Sequence, residues 1–137
     1  MVNPEILRRR LNKLDDYLNF LDTACQYTFD EFRADPERYG STERFLHLAI
    51  ETITDMANHV VADQDLGPVE KYSDLPHYFA EQSWIDASLE ETWMRMIGFR
   101  NILVHNYLEV DRRIVYDVLQ NNLDDLRRLR SVFARFL

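Results

Sequence analysis

Apolar residues near the start of the chain recur at alternating steps of four and three, the spacing that places side chains along one side of an α-helix. Asn3 and Pro4 precede this run and are typical of a helix N-terminus. The run consists of Leu7, Leu11, Leu14, Leu18, Leu21 and Cys25. The same spacing can be continued to Phe29 and Phe32, which predicts a long first helix that packs on a second helix at a shallow angle.

A second helical pattern follows a break at Asp35 and Pro36, and Gly40 with Ser41 offers a second starting point. Its apolar face consists of Phe45, Ala49, Ile53, Met56, Ala57 and Val60. The Gly67-Pro68 pair predicts the end of this helix and the start of the main loop.

Three further helices are predicted in the second half of the chain. A short, aromatic-rich helix over residues 73–84 is expected to pack on the core, although its aromatic rings could also stack on bases. A longer helix starts at Asp86 or Ser88 and ends near His105 or Asn106. A last helix runs from Asp111 to the C-terminus. Its apolar positions include Ile114, Val118, Leu126, Leu129, Phe133 and Phe136.

Glycine and proline are scarce, at three and four of 137 residues, which favours long helices over many short strands. We therefore predict an all-α fold, an antiparallel bundle of about four main helices plus a short one. Residues 1–137 are expected to form a single domain with one core.

The net charge of −8 argues against broad, non-specific binding of nucleic acid but leaves room for a local basic groove. The arginines at positions 8–10 and 127–130 are interpreted mainly as solvated helix faces. Cys25 has no second cysteine to pair with. The first residues do not resemble a signal peptide, and no apolar run is long enough for a membrane span, so we predict a cytoplasmic protein without a membrane partner.

Candidate chemistry concentrates at residues 100–107, where Arg100, Asn101, His105, Asn106 and Tyr107 interrupt an apolar run. An arginine offers a planar fork of donors to phosphate oxygens. A histidine changes protonation near neutral pH and can move a proton in either direction. A tyrosine adds a hydroxyl and a stacking face. Together these groups could hold a phosphodiester and carry out acid–base chemistry without a metal or another cofactor.

The spacing sets a geometric problem, because side chains five apart on a helix diverge by roughly 140°. Arg100 and His105 therefore share a substrate only if the helix ends or kinks near Val104, or if a second copy of the chain completes the site. A purely structural role is the alternative. In that case His105 caps the helix end, and Arg100 pairs with Glu91, Glu109 or a neighbour's carboxylate.

A second polar row lies on the predicted second helix, where His47, Glu51, Asp55 and His59 follow one another at steps of four. Successive steps drift by roughly 40°, so the four side chains cannot all reach one metal ion. A pair such as Asp55 and His59 could bind a metal only with a ligand from another helix. We interpret the row as a polar face that is either solvated or buried in a dimer interface, and we assign no metal site.

Several segments of the chain resemble the HepT-like HEPN family. Arg100, His105 and Tyr107 match its R-x4-H-x-Y signature, and residues 98–105 match its most characteristic segment. Residues 43–61 resemble the second-helix region of the family. The size and helix order also agree, so the similarity covers nearly the whole chain.

The resemblance implies a symmetric homodimer in which the two motifs face each other across a cleft. It also implies a metal-independent endoribonuclease toxin of the type VII kind, with Arg100 and His105 catalytic and RNA as substrate. Asn101 and Asn106 would orient the histidine or the phosphate. The family's partner is a minimal nucleotidyltransferase antitoxin, and Tyr107 matches the tyrosine that it modifies with AMP.

Two other functions fit the same features. One is a binding module without catalysis, in which the dimer cleft holds a nucleotide or a partner. The other is a helical scaffold subunit for a nucleotidyltransferase. Loss of RNA cleavage when His105 is replaced would separate catalysis from both.

Overall fold

The computed structural model of the chain describes residues 2–106, 108 and 110–137. The regular secondary structure of these residues is helical, which confirms the predicted all-α fold. The helices are α1 (Pro4–Ala24), α2 (Phe29–Ala34), α3 (Pro36–Asp63), α4 (Asp74–Glu81), α5 (Ala87–His105), α6 (Arg112–Asn121) and α7 (Leu123–Ala134). None of these helices is both long and apolar enough to cross a bilayer.

The first helix starts as predicted but ends early. The side chain of Asn3 accepts hydrogen bonds from the first-turn backbone, and the predicted leucines are buried. The chain leaves the helix after Ala24. Thr28 and Glu31 then form a capping box that starts α2. The predicted continuation to Phe32 is therefore wrong, because the reciprocal bonds of a capping box satisfy the free backbone groups of a new helix start.

The third helix is the centre of the bundle. Asp35 caps it, with a side-chain oxygen 2.9 Å from the Glu37 backbone nitrogen, so it begins at Pro36 rather than at Gly40. It packs against each of the other six helices. Since α1 and α5 both lie against α3, side chains from these two helices can reach its polar face. The helix ends at Asp63, before the predicted Gly67-Pro68 turn.

The C-terminal part contains two helices where the sequence predicted one. Asn122 is the C-cap of α6 and the N-cap of α7, and its side chain donates to Asp125 Oδ2 at 3.0 Å. The break changes which residues of α6 are buried. Val115 and Leu119 are fully buried, whereas Ile114, predicted to be apolar and inward, is 52% exposed.

The short helix α4 is attached to the core by aromatic packing. The Phe79 ring lies 5.1 Å from Trp93 of α5 and 5.4 Å from Phe133 of α7, measured between centroids. Trp84, just after α4, packs edge-on against Phe136. The prediction that this aromatic segment packs on the core is confirmed. The packing also fixes the end of the loop between α3 and α4 beside α5.

Candidate active site

Arg100 of α5 is held by an ion pair with Glu51 of α3. Its Nε donates to Glu51 Oε2 at 2.8 Å, and its Nη2 lies 2.8 Å from the same oxygen. Its Nη1 donates to Oδ1 of Asn101 at 3.2 Å. The side chains of Arg100 and Glu51 are only 15% and 28% exposed. Such a pair orients the guanidinium far better than a solvated one would. Of the partners considered for Arg100, Glu91 pairs with Arg95 instead, and Glu109 lies outside the described residues.

One aromatic side chain of the second half adjoins Arg100. The guanidinium carbon lies 5.5 Å from the centroid of the Tyr72 ring, which is 37% exposed. The other aromatics of this region have structural partners. The Tyr78 hydroxyl donates to the Pro68 carbonyl at 2.7 Å, and Phe79 and Trp84 pack in the core. Among the aromatic residues of this region that the structure describes, Tyr72 alone combines exposure with contact to the candidate site.

His47 lies one helical turn before Glu51 and joins the same polar cluster. Its Nδ1 is 3.3 Å from Nη1 of Arg44, and its Nε2 is 3.8 Å from Glu51 Oε2. Burial, followed by the nearby charge of Arg100, lowers the pKa of His47, against the opposing effect of Glu51. Because an arginine only donates, Nδ1 acts as the acceptor and Nε2 carries the proton.

The remaining members of the polar row contact α1 and the segment before it. Asp55 Oδ2 lies 3.7 Å from Nη1 of Arg10, and His59 Nε2 accepts a hydrogen bond from the Asn3 backbone at 3.2 Å. Burial raises the pKa of Asp55, Arg10 lowers it, and Glu51 raises it further. Among the described residues, no group of three or more His, Cys, Asp and Glu side chains is arranged to hold a metal ion. The row is not fully solvated, since each member has a protein partner.

His105 is the last residue of α5, and its side chain is exposed. Asn106 caps the helix end, where its backbone N–H donates to the Ile102 carbonyl at 2.9 Å. The helix is continuous from Arg100 to His105, so the two side chains keep the divergence of roughly 140° that five helical steps impose. Tyr107, the third residue of the motif, lies outside the described residues.

The exposed face of α5 carries His105 and combines apolar residues with the Glu91–Arg95 ion pair. Met94, Gly98 and Ile102 follow one another at steps of four, and Met94 and Ile102 are 41% and 46% exposed. Apart from its own helix, a Cβ added at Gly98 would have no atom of the described residues within 4 Å. Glycine weakens a helix interior by about 1 kcal/mol relative to alanine, and no neighbour among the described residues requires it here. The face is therefore suited to the close approach of another helix, with His105 at its edge.

The arrangement provides a fixed cation and an exposed acid–base group near one end of α5. The sequence indicated Arg100 and His105 but did not connect Glu51 or Tyr72 with them. Glu51 did stand out as part of the polar row, yet only the packing of α5 on α3 brings it within 2.8 Å of Arg100.

Comparisons with known proteins agree with this architecture. The profile of the family described as "Ribonuclease HepT-like" matches residues 13–132. The "mRNA nuclease HepT" of Shewanella oneidensis is 31% identical over 102 residues, which cover 74% of this chain and 77% of that protein. The "tRNA nuclease HepT" of Aphanizomenon flos-aquae is 24% identical over 117 residues, or 84% and 78% of the two chains.

A solved structure has the same fold. It is described as a tri-AMPylated Shewanella oneidensis HEPN toxin in complex with MNT antitoxin. It aligns with a TM-score of 0.86 and 25% sequence identity over 95% of this chain and 97% of that one. Because the family match spans nearly the whole sequence and includes the helices that carry Arg100, Glu51 and His105, this chain belongs to the HepT-like ribonuclease family.

Proposed function

We propose that the chain is a metal-independent endoribonuclease and the toxin of a HEPN/MNT toxin–antitoxin pair. The observation that carries the proposal is the ion pair that fixes Arg100 five residues before an exposed His105, in a member of a ribonuclease family. The relatives named as mRNA and tRNA nucleases support RNA as the substrate class. The activity would be exerted in the cytoplasm, where these RNAs are found.

The chemistry follows from the substrate, because RNA carries its own nucleophile in the 2′-hydroxyl. A histidine base removes the hydroxyl proton, the oxygen attacks the adjacent phosphorus, and an acid protonates the departing 5′-oxygen. Arg100 would neutralise the charge that grows on the non-bridging oxygens. Glu51 and Asn101 take three of the five guanidinium N–H groups, so one N–H on each terminal nitrogen remains to bind a phosphate. Asn101 and Asn106 are proposed to orient the phosphate or the histidine.

A homodimer would supply the second histidine that the proposed acid–base chemistry needs. We propose that α5 packs on α5 of a second copy through Met94, Gly98 and Ile102, which brings the two His105 side chains to one cleft as base and acid. A cleft that needs both histidines makes a mixed dimer inactive. Equal co-expression of wild type and His105→Ala would then leave about a quarter of the wild-type activity, whereas independent sites would leave about half.

The antitoxin is proposed to be a minimal nucleotidyltransferase that attaches AMP to Tyr107. The tri-AMPylated toxin of the Shewanella oneidensis complex supports this partner and this modification. Each adenylate adds negative charge and bulk, which would repel and block an RNA phosphate near Arg100.

The decisive experiment compares the purified chain with His105→Ala on total RNA and tRNA in EDTA. His77→Ala is the matched control, since His77 is also exposed and lies outside the motif. We expect cleavage by the wild type and the control but not by His105→Ala. If the wild type is inactive, its intact mass decides between two outcomes. Added adenylate identifies a silenced toxin, and an unmodified inactive chain refutes the nuclease proposal in favour of a non-catalytic binding module.

A further inference from the structure

A concave surface on α1 lies beside the polar row and has no part in the function proposed above. The cavity has a volume of about 440 Å³. Its walls are formed by Ile6, Arg9, Arg10, Lys13, Tyr17 and Thr52. All but Thr52 belong to α1, and Thr52 belongs to α3. The surface thus follows the seam between α1 and the central helix.

The walls of this cavity are cationic, in a protein whose net charge is −8. Three of the six lining residues are Arg or Lys, and none is acidic. Arg9 faces Glu5 at 3.5 Å with 80% of its side chain exposed, and Arg10 faces Asp55 at 3.7 Å. Exposed pairs at such distances contribute little free energy, so a phosphate can take the place of the carboxylate. Lys13 is also exposed, and together these groups form a local basic groove.

The cavity and the candidate active site contact adjacent turns of α3. Arg10, which lines the cavity, pairs with Asp55, and Arg100 pairs with Glu51 one turn earlier. Side chains four apart on a helix have Cβ atoms roughly 5–6 Å from each other. A chain of linked phosphates bound at Arg100 can therefore extend along α3 to the cations of α1.

The cavity also has an apolar and aromatic wall. Tyr17 is half-buried, with its ring 5.8 Å from the Phe45 ring, and Ile6 is 42% exposed. An aromatic face beside cations is the combination that binds single-stranded nucleic acid, because bases stack while phosphates pair with charge. The two walls together match the two parts of one nucleotide.

We propose that this cavity is a nucleotide-binding subsite for single-stranded RNA, separate from the site of cleavage. Arg9 and Lys13 bind phosphate oxygens of a nucleotide flanking the scissile bond, and the base lies against Tyr17. The subsite lets an acidic protein bind RNA more tightly, because it supplies positive charge to the RNA phosphates that lie beyond the phosphate bound at Arg100. It rests on the proposed ribonuclease function.

The test is the double variant Arg9→Gln, Lys13→Gln, with Arg8→Gln as the matched control. Arg8 lies on the same helix and pairs with the same Glu5, but it does not line the cavity. Arg10 is kept, since it also contacts Asp55. The KM of a labelled oligoribonucleotide should rise about tenfold in the double variant, as the loss of two exposed charge contacts predicts, with kcat retained.

A dinucleotide substrate provides the comparison, because one phosphodiester cannot occupy Arg100 and the α1 cations together. Its KM should change much less than that of the oligoribonucleotide. Binding is measured in parallel by fluorescence anisotropy with the His105→Ala background. The slope of log K against log salt should fall in magnitude by about 1.4 in the double variant, since each of the two lost phosphate contacts to a single strand contributes about 0.7.

Equal effects on the two substrates, or an effect no larger than that of Arg8→Gln, would overturn the subsite. Failure of the ribonuclease proposal has a different signature, because the wild type itself would then cut neither substrate. In that case the anisotropy measurement still reports whether the α1 cations bind RNA.

Discussion

Replacing Glu51 by alanine tests the contact that holds the candidate site together. The change leaves the Arg100 guanidinium with two donors that lose their partner, in a side chain that is only 15% exposed. Removing one partner of a fully buried pair costs about 3–5 kcal/mol, and a solvated pair is worth at most about 1 kcal/mol. Glu51 is 28% exposed, so we place the loss of unfolding free energy between these limits, at about 2–3 kcal/mol.

The assay is urea unfolding at fixed protomer concentration, because association would otherwise shift the midpoint. Glu91→Ala is the matched control. Glu91 pairs with Arg95 on the same helix as Arg100, but the two side chains are 68% and 72% exposed. The control should lose less than about 0.5 kcal/mol. The loss of unfolding free energy for Glu51→Gln should lie between the losses for Glu51→Ala and Glu91→Ala, since an amide oxygen still accepts hydrogen bonds but carries no charge.

A double-mutant cycle with Arg100→Met isolates the pair. Once the guanidinium is absent, Glu51→Ala should cost less by about 1–2 kcal/mol, which is the coupling energy of the two side chains. Cleavage of RNA should fall in Glu51→Ala more than in Glu51→Gln, because an arginine without a fixed orientation is a poorer electrostatic stabiliser. The reasoning is wrong if Glu51→Ala lowers the unfolding free energy no more than Glu91→Ala does. It is also wrong if Glu51→Ala cleaves RNA faster than the wild type, because Glu51 would then compete with the phosphate for Arg100.

Three further predictions follow from other contacts of the site. The pKa of His47 is lowered from its ordinary value of 6.5, so the unfolded chain binds a proton at His47 more readily than the folded chain does. The unfolding free energy should therefore fall as the pH drops from 7 to 5. His47→Gln should flatten that decline in unfolding measurements at several pH values, and an unchanged slope would contradict the assignment. Tyr72→Ala should raise the KM for RNA at least fivefold, whereas Tyr72→Phe should keep the wild-type KM, because a stacking contact needs the ring and not the hydroxyl. Equal effects of the two replacements would assign the role to the hydroxyl. Ile102→Asp should convert the proposed dimer to monomers in light scattering and abolish cleavage, whereas an active dimer would show that α5 is not the interface.

The sequence by itself identified the helical class and much of the core. The alternating leucines of α1 and the apolar face of α3 are local patterns, because a helix repeats its faces every few residues whatever it packs against. The helix starts at Asn3 and Asp111 were also predictable from the sequence, since a capping side chain contacts only the first turn of its own helix. The breaks at Thr28 and Asn122 were missed because the apolar spacing continues across them.

Arg100 and His105 were recognisable in the sequence as a pair of suitable chemistry at a fixed spacing, and their catalytic roles stay a prediction. Their surroundings depend on residues far away in the chain. Glu51 is 49 positions from Arg100, and it reaches 2.8 Å only because α5 packs on α3. Tyr72 adjoins the same guanidinium because the aromatic packing of α4 fixes the loop that carries it.

What the sequence determined and what it left open differ in how far apart along the chain the interacting residues are. Periodicity and capping depend on neighbours within about one turn, so the sequence alone determined where most helices begin and which faces they bury. The partners of a charged side chain depend on which helices lie side by side. That choice is made by the combined packing of many apolar contacts, and no single local pattern encodes it. The tertiary structure alone decided that Arg100 would be held by Glu51, and that a basic cavity on α1 would adjoin them.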